Sequence, residues 1–398
     1  MSFPRVVSAD DHVVEPPNLW TDRLPSKYRD VGPRVVRQRV APPQLGLAQH
    51  AHEVGPDEDG QWADVWFYED QRHPVLMLGA AAGFSHDDIE FRTVTYDEMR
   101  PGCYEHQARL ADMDQAGIEA SVCFPNLAPV RFAGQGFLEA TDKDLALLCV
   151  QAYNDFILDE WCAGAADRLI PCGIVPLWDP VLAAAEVERT AARGMKAMCF
   201  SEAPAHLGLP SLHDGKWEPF FATCAATGTV IAIHIGSSSR IPLPSPDAPP
   251  AEANMLLTNN AATAMVDWLC SGLFVRHPDL KVMLGECQIG WIPYYLGRLD
   301  EIWEVHTGWA GIRQTLPLPP SHYFRSNMYA TFFSDPFGLR NLDAIGADNV
   351  LFETDYPHSD STWPDCRAVA EAQTTAAGLD AATAEKVVRG NARRLFGL

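Results

Sequence analysis

Eight short runs of apolar residues are spread along the chain, and most of them lack a strict alternation of apolar and polar positions. Runs of this kind are typical of strands that are buried on both faces, as in a parallel sheet. The predicted strands are 5–9, 119–125, 169–177, 195–200, 229–235, 280–286, 327–333 and 349–355.

Helical patterns separate these runs, and two of them end at Gly194 and Gly228, a residue type that commonly terminates helices. The predicted helices are 104–117, 142–168, 179–194, 217–228, 261–274, 290–305 and 335–346, with further closing helices in 364–398. Eight strands that alternate with helices predict a (β/α)₈ TIM barrel. A doubly wound open sheet is the alternative, and it is disfavoured because no G-x-G-x-x-G motif follows any strand.

Two segments interrupt the alternation. Residues 30–100 contain Pro-rich, Gly-rich and acidic stretches around a strand-like segment, and they predict an insertion after the first strand. We expect this insertion to form a hairpin plus loops that cover the barrel mouth. Residues 237–254 are rich in proline and predict a long irregular loop after the fifth strand. We expect a single domain over residues 1–398.

Composition narrows the classes of partner. The chain is 47% hydrophobic and 21% charged, and it contains no apolar run of the length that spans a membrane. Its formal net charge is −22, which argues against binding to nucleic acid or to an anionic membrane. The first residues do not resemble a signal peptide, and ten cysteines without a C-x-x-C pair indicate reduced thiols. We therefore expect a cytoplasmic protein.

Ionisable residues end or follow five of the eight predicted strands. In a barrel of this kind, active-site groups stand at the carboxyl ends of the strands. Each residue alone has a structural explanation, such as capping a helix. Together they predict a metal site, because buried carboxylates at one mouth repel one another unless a cation neutralises them. The candidate ligands are Asp10, His12, Glu202, His234, Glu286 and Asp355, and His358 lies just beyond the last of them.

The first strand carries the densest part of this set. Asp10 and His12 are two residues apart, so in an extended strand both face the barrel axis. Asp11 then points the other way and is expected to be structural. Glu15 lies beyond the strand, and its role is left open.

Four carboxylates and two imidazoles suggest two metal ions rather than one. One ion would take Asp10, His12 and Asp355. The second would take His234 and Glu286, and Glu202 would bridge the pair. Oxygen-rich ligands with some imidazole favour iron or manganese over zinc.

Four segments of the chain resemble the amidohydrolase-related family of metal-dependent (β/α)₈ barrels. They are SADDHVVEPPNLW (8–20), EMRPGCYEHQARLADMDQAGIEASVCFPN (98–126), HPDLKVMLGECQIGWIPYYLGRLD (277–300) and NVLFETDYPHSDSTWP (349–364). The resemblance implies one divalent metal held by H-x-H or E-x-H at strand 1, a His at strand 5 and an Asp at strand 8. Those positions carry Asp10, His12, His234 and Asp355.

Two departures shift the expected chemistry. Strand 1 opens with Asp10, and strand 6 ends in Glu286, where many relatives have a His that helps to activate water or substrate. The pattern looks closer to a branch similar to the nonheme di-iron monooxygenases of platensimycin and platencin diterpenoid biosynthesis. That resemblance implies two Fe(II) ions, O₂, an external electron donor and hydroxylation of an unactivated carbon, often on a coenzyme-A-linked substrate.

The sequence thus favours a di-iron monooxygenase with Glu286 and His358 near the chemistry. The alternative is a hydrolase or non-oxidative decarboxylase with one zinc or manganese ion, in which His358 acts as acid or base. A non-catalytic binding barrel is the third reading. Arg131 and Arg240 are candidates for binding an anionic substrate group such as coenzyme A. The candidate pocket walls are Trp20, Trp62, Trp66, Phe132, Phe332 and Phe333. Relatives imply a homodimer.

Overall fold

The computed structural model of the protein describes residues 3–43, 54–165 and 167–398. Eight parallel strands form one sheet in the order β1-β5-β6-β7-β8-β9-β10-β11. The strands of the chain are β1 (Val6–Val13), β2 (Arg34–Val40), β3 (Gln61–Tyr68), β4 (Gln71–Pro74), β5 (Ile118–Pro125), β6 (Leu169–Gly173), β7 (Ala197–Phe200), β8 (Val230–His234), β9 (Val282–Gly285), β10 (Met328–Phe332) and β11 (Val350–Phe352).

The segment that follows β11 closes the sheet into a barrel against β1. The backbone N–H of Asp355 donates to the carbonyl of Asp10 at 3.0 Å, and the N–H of His12 donates to the carbonyl of Tyr356 at 2.6 Å. These two hydrogen bonds continue the ladder beyond the last regular strand. The predicted (β/α)₈ barrel is therefore confirmed, and each predicted strand overlaps one strand of the barrel.

Helices surround the barrel between its strands. They are α1 (Leu19–Arg23), α2 (His106–Ala116), α3 (Gln135–Leu138), α4 (Lys143–Phe156), α5 (Pro180–Ala191), α6 (Glu218–Thr227), α7 (Pro250–Cys270), α8 (Leu273–Arg276), α9 (Ile292–Val305), α10 (Ile312–Thr315), α11 (Pro320–Asn327), α12 (Pro336–Leu339), α13 (Leu342–Ile345), α14 (Cys366–Ala376), α15 (Ala381–Glu385) and α16 (Asn391–Phe396). Among the described residues, no helix combines the length and the apolar composition that a membrane crossing needs.

Helix boundaries account for most of the differences from the sequence prediction. The helix predicted over 261–274 begins earlier, at Pro250, because proline fits the first turn of a helix, where its missing N–H leaves no hydrogen bond unmade. The loop predicted over 237–254 is correspondingly shorter. The helix predicted over 142–168 is α4 followed by a π-helical turn, Ile157–Trp161.

The insertion after β1 forms a three-stranded antiparallel sheet in the order β2-β3-β4, one strand more than the predicted hairpin. Residues 44–53 of the insertion lie outside the described residues. The segment after β4 reaches the barrel mouth, where the N–H of Ala81 donates to the carbonyl of Pro357 at 2.7 Å and the side chain of Asn126 donates to the carbonyl of Gly79 at 2.9 Å. The insertion therefore contacts the segments that follow β5 and β11.

A buried arginine of α2 fixes the backbone around the mouth. Arg109 is 1% exposed, and it donates to the carbonyls of Gly102 at 2.8 Å and His12 at 2.5 Å. Its guanidinium also lies 4.2 Å from the ring centroid of Tyr356. One helix residue thus ties together the end of β1 and the segment after β11, which carry several of the candidate ligands.

Candidate metal centre

Two imidazoles face each other inside the barrel. His12 lies in β1 and His234 is the last residue of β8. The Nδ1 atom of His12 lies 2.7 Å from the carbonyl of Pro125, and the Nδ1 atom of His234 lies 2.6 Å from the carbonyl of Ile235. A carbonyl only accepts, so each Nδ1 carries the proton and each Nε2 keeps a lone pair. The two Nε2 atoms are 3.1 Å apart.

Burial keeps both of these rings neutral. It lowers the pKa of His234 to about 3 and, together with the neighbouring His358 and His234, lowers the pKa of His12 well below its ordinary value. Two lone pairs that face each other at this distance repel. A cation between them removes the repulsion, and neutral imidazole is the form that binds metals.

Two carboxylates complete the cluster. Oδ1 of Asp10 lies 3.4 Å from Nε2 of His12, and Oδ1 of Asp355 lies 3.5 Å from the same atom. Both side chains are 0% exposed, and none of their four oxygens accepts a hydrogen bond. Burial raises the pKa of both groups, and the negative charges of neighbours, Glu353 foremost for Asp10, raise it further. Unpaired acceptors and neutral imidazoles in one buried cluster fit a divalent cation.

The backbone is shaped to bring these groups together. The pairing of β1 with β5 shifts register between Ser8 and Asp11, which marks a bulge at Asp10. Asp355 and Glu286 have left-handed backbone angles, with φ of 53° and 55°. Residues other than glycine adopt this conformation at a cost, and such strain concentrates at functional sites. A side chain at Gly285 would collide with Oδ2 of Asp10, so only glycine leaves room for that carboxylate.

Asp11 faces away from the cluster, as its position in the strand predicts. Its carboxylate accepts hydrogen bonds from the hydroxyls of Ser8 at 2.9 Å, Ser121 at 2.5 Å and Thr354 at 2.5 Å, and from the N–H of Tyr356 at 3.0 Å. These bonds link β1 to β5 and to the segment after β11. The role of Asp11 in the structure is therefore to hold β1 against its two neighbours in the barrel, β5 and the segment after β11.

Glu286 and His358 border the cluster. Oε2 of Glu286 lies 3.2 Å from Nε2 of His234, and its side chain is 18% exposed, the most open of this group. His358 stacks on His12 with ring centroids 3.8 Å apart, and its Nδ1 lies 3.0 Å from Oδ1 of Asp355. The Nε2 atom of His358 faces Oδ1 of Asn126 at 3.3 Å. Both predicted catalytic residues therefore contact the cluster directly.

Glu202 makes its hydrogen bonds to the loop after β8 and to Asn260 of α7. One of its carboxylate oxygens accepts hydrogen bonds from the hydroxyl of Ser238 at 2.5 Å, the N–H of Ser238 at 3.2 Å and the amide of Asn260 at 2.9 Å. The other accepts from the N–H of Gly236 at 3.2 Å. The loop after β8 thus uses this carboxylate as a structural anchor. Because its acceptors are satisfied, nothing in the structure places it as a bridge between two metals.

Glu15 is buried beside the mouth rather than in the cluster. Its Oε1 accepts from the N–H of Asn126 at 3.1 Å, and its Oε2 has no hydrogen-bond partner. Burial raises the pKa of Glu15 to about 8, so the group is largely protonated at neutral pH. Among the candidate substrate residues, Arg131 is 5% exposed and Arg240 is exposed.

Glu353 is a site residue that the sequence analysis missed. It is 0% exposed; its Oε2 accepts from the N–H of Glu286 at 3.0 Å, and its Oε1 has no partner. Burial is the main cause that raises the pKa of Glu353 to about 8. A signal was present, because Glu353 precedes Asp355 by two residues, the same spacing as Asp10 and His12. Its bond holds the strained backbone of Glu286 in place.

Aromatic rings wall the cluster. Phe132 stacks on His234 with centroids 4.2 Å apart and an interplanar angle of 19°, and it lies 5.6 Å from the ring of His12. Phe124 of β5 lies 5.8 Å from His12 and 5.9 Å from His234. Phe132 therefore lies against the cluster, where it was predicted to form a pocket wall. Together with Phe124 it shields the imidazoles from water.

Comparisons with known proteins define the family. The model of a family described as amidohydrolase matches residues 24–398. The chain belongs to this amidohydrolase family. The match begins after β1, so Asp10 and His12 are placed in the site by the structure alone.

Relatives of the chain include decarboxylases and a further amidohydrolase. A gamma-resorcylate decarboxylase from Rhizobium sp. (strain MTP-10005) is 27% identical over 332 residues, which cover 75% of this chain and 92% of that protein. An amidohydrolase structure from Mycobacterium avium subsp. paratuberculosis has a TM-score of 0.74 and 22% identity, with all of both chains covered. A dihydroxybenzoic acid decarboxylase from Polaromonas sp. JS666, with bound manganese and 2-nitroresorcinol, has a TM-score of 0.60 and 20% identity, covering 99% and 97%.

These relatives overturn the expectation of a di-iron monooxygenase. The curated relatives at 27–28% identity are gamma-resorcylate decarboxylases, and one related decarboxylase structure contains bound manganese. The expectation of two Fe ions and O₂ as co-substrate, with an oxidoreductase role in antibiotic biosynthesis, is wrong. That expectation rested on the count of four carboxylates and two imidazoles and on the departures at Asp10 and Glu286, with Glu202 as a shared ligand. The oxygens of Glu202 instead accept hydrogen bonds from Gly236 and Ser238 of the loop after β8.

Proposed function

We propose that the protein is a metal-dependent, non-oxidative decarboxylase that acts on a hydroxylated aromatic carboxylic acid. The observation that carries the proposal is the pair of Nε2 atoms of His12 and His234, 3.1 Å apart and flanked by the unpaired carboxylates of Asp10 and Asp355. The decarboxylase activity of relatives at 27% identity supports the reaction type.

Asp10, His12, His234 and Asp355 would hold one divalent cation, manganese or zinc. Bound there, the cation supplies positive charge that orients the substrate's carboxylate and the adjacent phenolic oxygen. Two carboxylates with two imidazoles make a set harder than most zinc sites, which favours manganese. His358 stacks on His12 and contacts Asp355, so it positions both ligands.

Glu286 is suited to deliver the proton that the reaction needs. As the bond from the ring to the carboxylate breaks, its electron pair stays with the ring carbon, CO₂ leaves and the carbon takes up a proton. Burial, followed by the negative charge of Asp355, raises the pKa of Glu286 well above its ordinary value, which favours the protonated form that a proton donor needs. The side chain also lies on the more open side of the cluster, where water can restore that proton.

The test is metal content together with turnover in the absence of oxygen. We expect about one divalent metal per chain and release of CO₂ from 2,6-dihydroxybenzoate or a related acid under anaerobic conditions. A Glu286→Gln variant should retain the metal and lose most of the turnover, because the amide cannot donate an acid proton. Two irons per chain with an absolute requirement for O₂ would contradict the proposal.

Several expectations stay predictions at this point. They concern the homodimer, the cytoplasmic location and the anionic substrate group at Arg131 or Arg240. Size-exclusion chromatography with light scattering tests the first. No step of a non-oxidative decarboxylation needs the external electron donor that the sequence analysis expected.

A further inference from the structure

Arg131 lies in the loop after β5 and is held beside the metal centre. It is 5% exposed, and the next residue, Phe132, stacks on His234 with ring centroids 4.2 Å apart. Arg131 and Phe132 have left-handed backbone angles, with φ of 57° and 51°. Residues other than glycine adopt a left-handed conformation at a cost in free energy. Two in succession indicate a loop built to place these side chains.

One edge of the guanidinium is poorly satisfied. Nη1 of Arg131 pairs with Oε2 of Glu139 at 2.6 Å, whereas Nη2 makes longer bonds to Ser239 at 3.2 Å and Gln135 at 3.4 Å. Nε is buried and has no hydrogen-bond acceptor. An arginine binds a carboxylate through two parallel N–H groups. On the edge formed by Nε and Nη2, Nε is the donor without an acceptor, and a carboxylate that pairs with both atoms replaces one of the two long bonds of Nη2.

Arg131 also lines a cavity of about 50 Å³. The lining residues are His73, Pro74, Leu76, Leu127, Ala128, Arg131 and Phe132. A single water needs roughly 10–15 Å³ measured in this way, so the cavity has room for a group of about three or four heavy atoms. That is the size of a carboxylate group.

Phe132 belongs to both the cavity and the metal centre, because its ring lines the first and stacks on a ligand of the second. A benzoate with a second carboxylate is long enough to reach from one side of the Phe132 ring to the other, and so from the metal centre to the cavity. We propose that Arg131 binds a second carboxylate of the substrate, on the part of the ring remote from the carboxylate that is lost. The assignment of the lost group rests on the proposed function, whereas the binding of an anion rests on Arg131 and its cavity.

The experiment measures binding, not turnover. Calorimetry on the manganese-loaded protein compares 2-hydroxybenzoate with its 3-, 4- and 5-carboxy derivatives. We expect at least one dicarboxylate to bind about tenfold or more tightly than 2-hydroxybenzoate, since a charge-assisted bidentate pair is a strong interaction. Arg131→Gln should remove this advantage and leave the affinity for 2-hydroxybenzoate within about twofold. Arg298→Gln, at an exposed arginine of α9 with no proposed role in binding, is the matched control and should change neither affinity.

Equal affinities of the wild-type protein for the mono- and dicarboxylates would overturn the proposal without need of a variant. So would an Arg131→Gln variant that keeps the advantage. Failure of the proposed decarboxylation is a separate result, because a dicarboxylate that binds through Arg131 and releases no CO₂ leaves this inference standing. Release of CO₂ with no dicarboxylate preference removes the inference and leaves the reaction standing.

Discussion

Two groups of buried acids at the barrel mouth have opposite surroundings. Glu202 is 1% exposed, and three neighbouring residues donate hydrogen bonds to its two oxygens. Asp10 and Asp355 are 0% exposed, and none of their four oxygens accepts a hydrogen bond; the nearest ring nitrogen to Asp355 is Nδ1 of His358, 3.0 Å from Oδ1. Both groups follow or end barrel strands, and both looked equivalent as candidate ligands.

The difference separates structural acids from ligand-binding acids. A buried carboxylate with donors is stable in the protein as it stands, whereas one without donors must be protonated or must meet a cation. Two neutral imidazoles beside Asp10 and Asp355 favour the cation. If this comparison is right, substitutions in the two groups will have different effects on metal content and on stability.

The largest effect is expected for Asp355→Asn. Removal of a carboxylate ligand should lower metal affinity by more than about 100-fold. The loss of a residue that only hydrogen-bonds a ligand already lowers metal affinity by about 10–100-fold. Turnover should disappear with the metal. The metal-free variant should be as stable as the metal-free wild type or more stable, because a neutral amide relieves the repulsion among Asp355, Asp10 and Glu353.

Elemental analysis and thermal unfolding with and without manganese check this expectation. Added manganese should raise the Tm of the wild-type protein in a concentration-dependent way and leave that of the variant nearly unchanged. Full metal occupancy in Asp355→Asn would show that the unpaired oxygens do not mark ligands.

An intermediate effect is expected for Gly285→Ala. Gly285 is the last residue of the extended strand β9, so alanine suits its backbone, but the added methyl collides with Oδ2 of Asp10. The displaced carboxylate should weaken metal binding on the order of tenfold, and overpacking should destabilise the fold by about 1–3 kcal/mol. Calorimetric metal titration measures the first effect and denaturant unfolding the second.

Gly297→Ala is the control for this substitution. Gly297 lies in the middle of α9, and a methyl there meets no atom within 4 Å. It should leave metal binding unchanged and stabilise the helix by about 0.5–1 kcal/mol. Equal metal affinities in the two variants would show that metal binding does not depend on the lack of a side chain at Gly285.

The sequence predicted the barrel and most of the cluster because both follow from position along the chain. Apolar runs located β1 and the other barrel strands, and the rule that active sites lie at their carboxyl ends selected His234 and Asp355. The spacing of two residues also oriented Asp10 and His12 correctly. These inferences need only the period of a strand and the topology of a barrel.

What the sequence could not predict depends on tertiary donors. Glu202 follows β7 as Glu286 follows β9, and only the fold shows that Ser238 and Asn260 donate to the former. The bulge at Asp10 and the left-handed backbone of Glu286 likewise depend on neighbouring strands. The choice of two irons followed from counting carboxylates without knowledge of their partners.

The smallest effect on the metal centre is expected for Glu202→Gln. This variant should keep its manganese, because Glu202 makes no hydrogen bond to a proposed ligand. Its partners are Gly236 and Ser238 of the loop after β8, and Asn260. The free energy of unfolding should fall by about 1–3 kcal/mol. The amide nitrogen of Gln is a donor, so it cannot accept a hydrogen bond from the donors that face one of the Glu202 oxygens.

Unfolding measured at several pH values adds a second criterion. Burial raises the pKa of Glu202 from 4.5 to about 7, so the folded state holds its proton more tightly than the unfolded state does. The stability from this group is fully present below about pH 4.5 and is lost as the pH rises through about 7. The cost of Glu202→Gln should therefore be greater at pH 5 than at pH 8, with metal content equal to wild type at both. A variant that loses manganese would place Glu202 with Asp10 and Asp355 and erase the distinction between the two groups of acids.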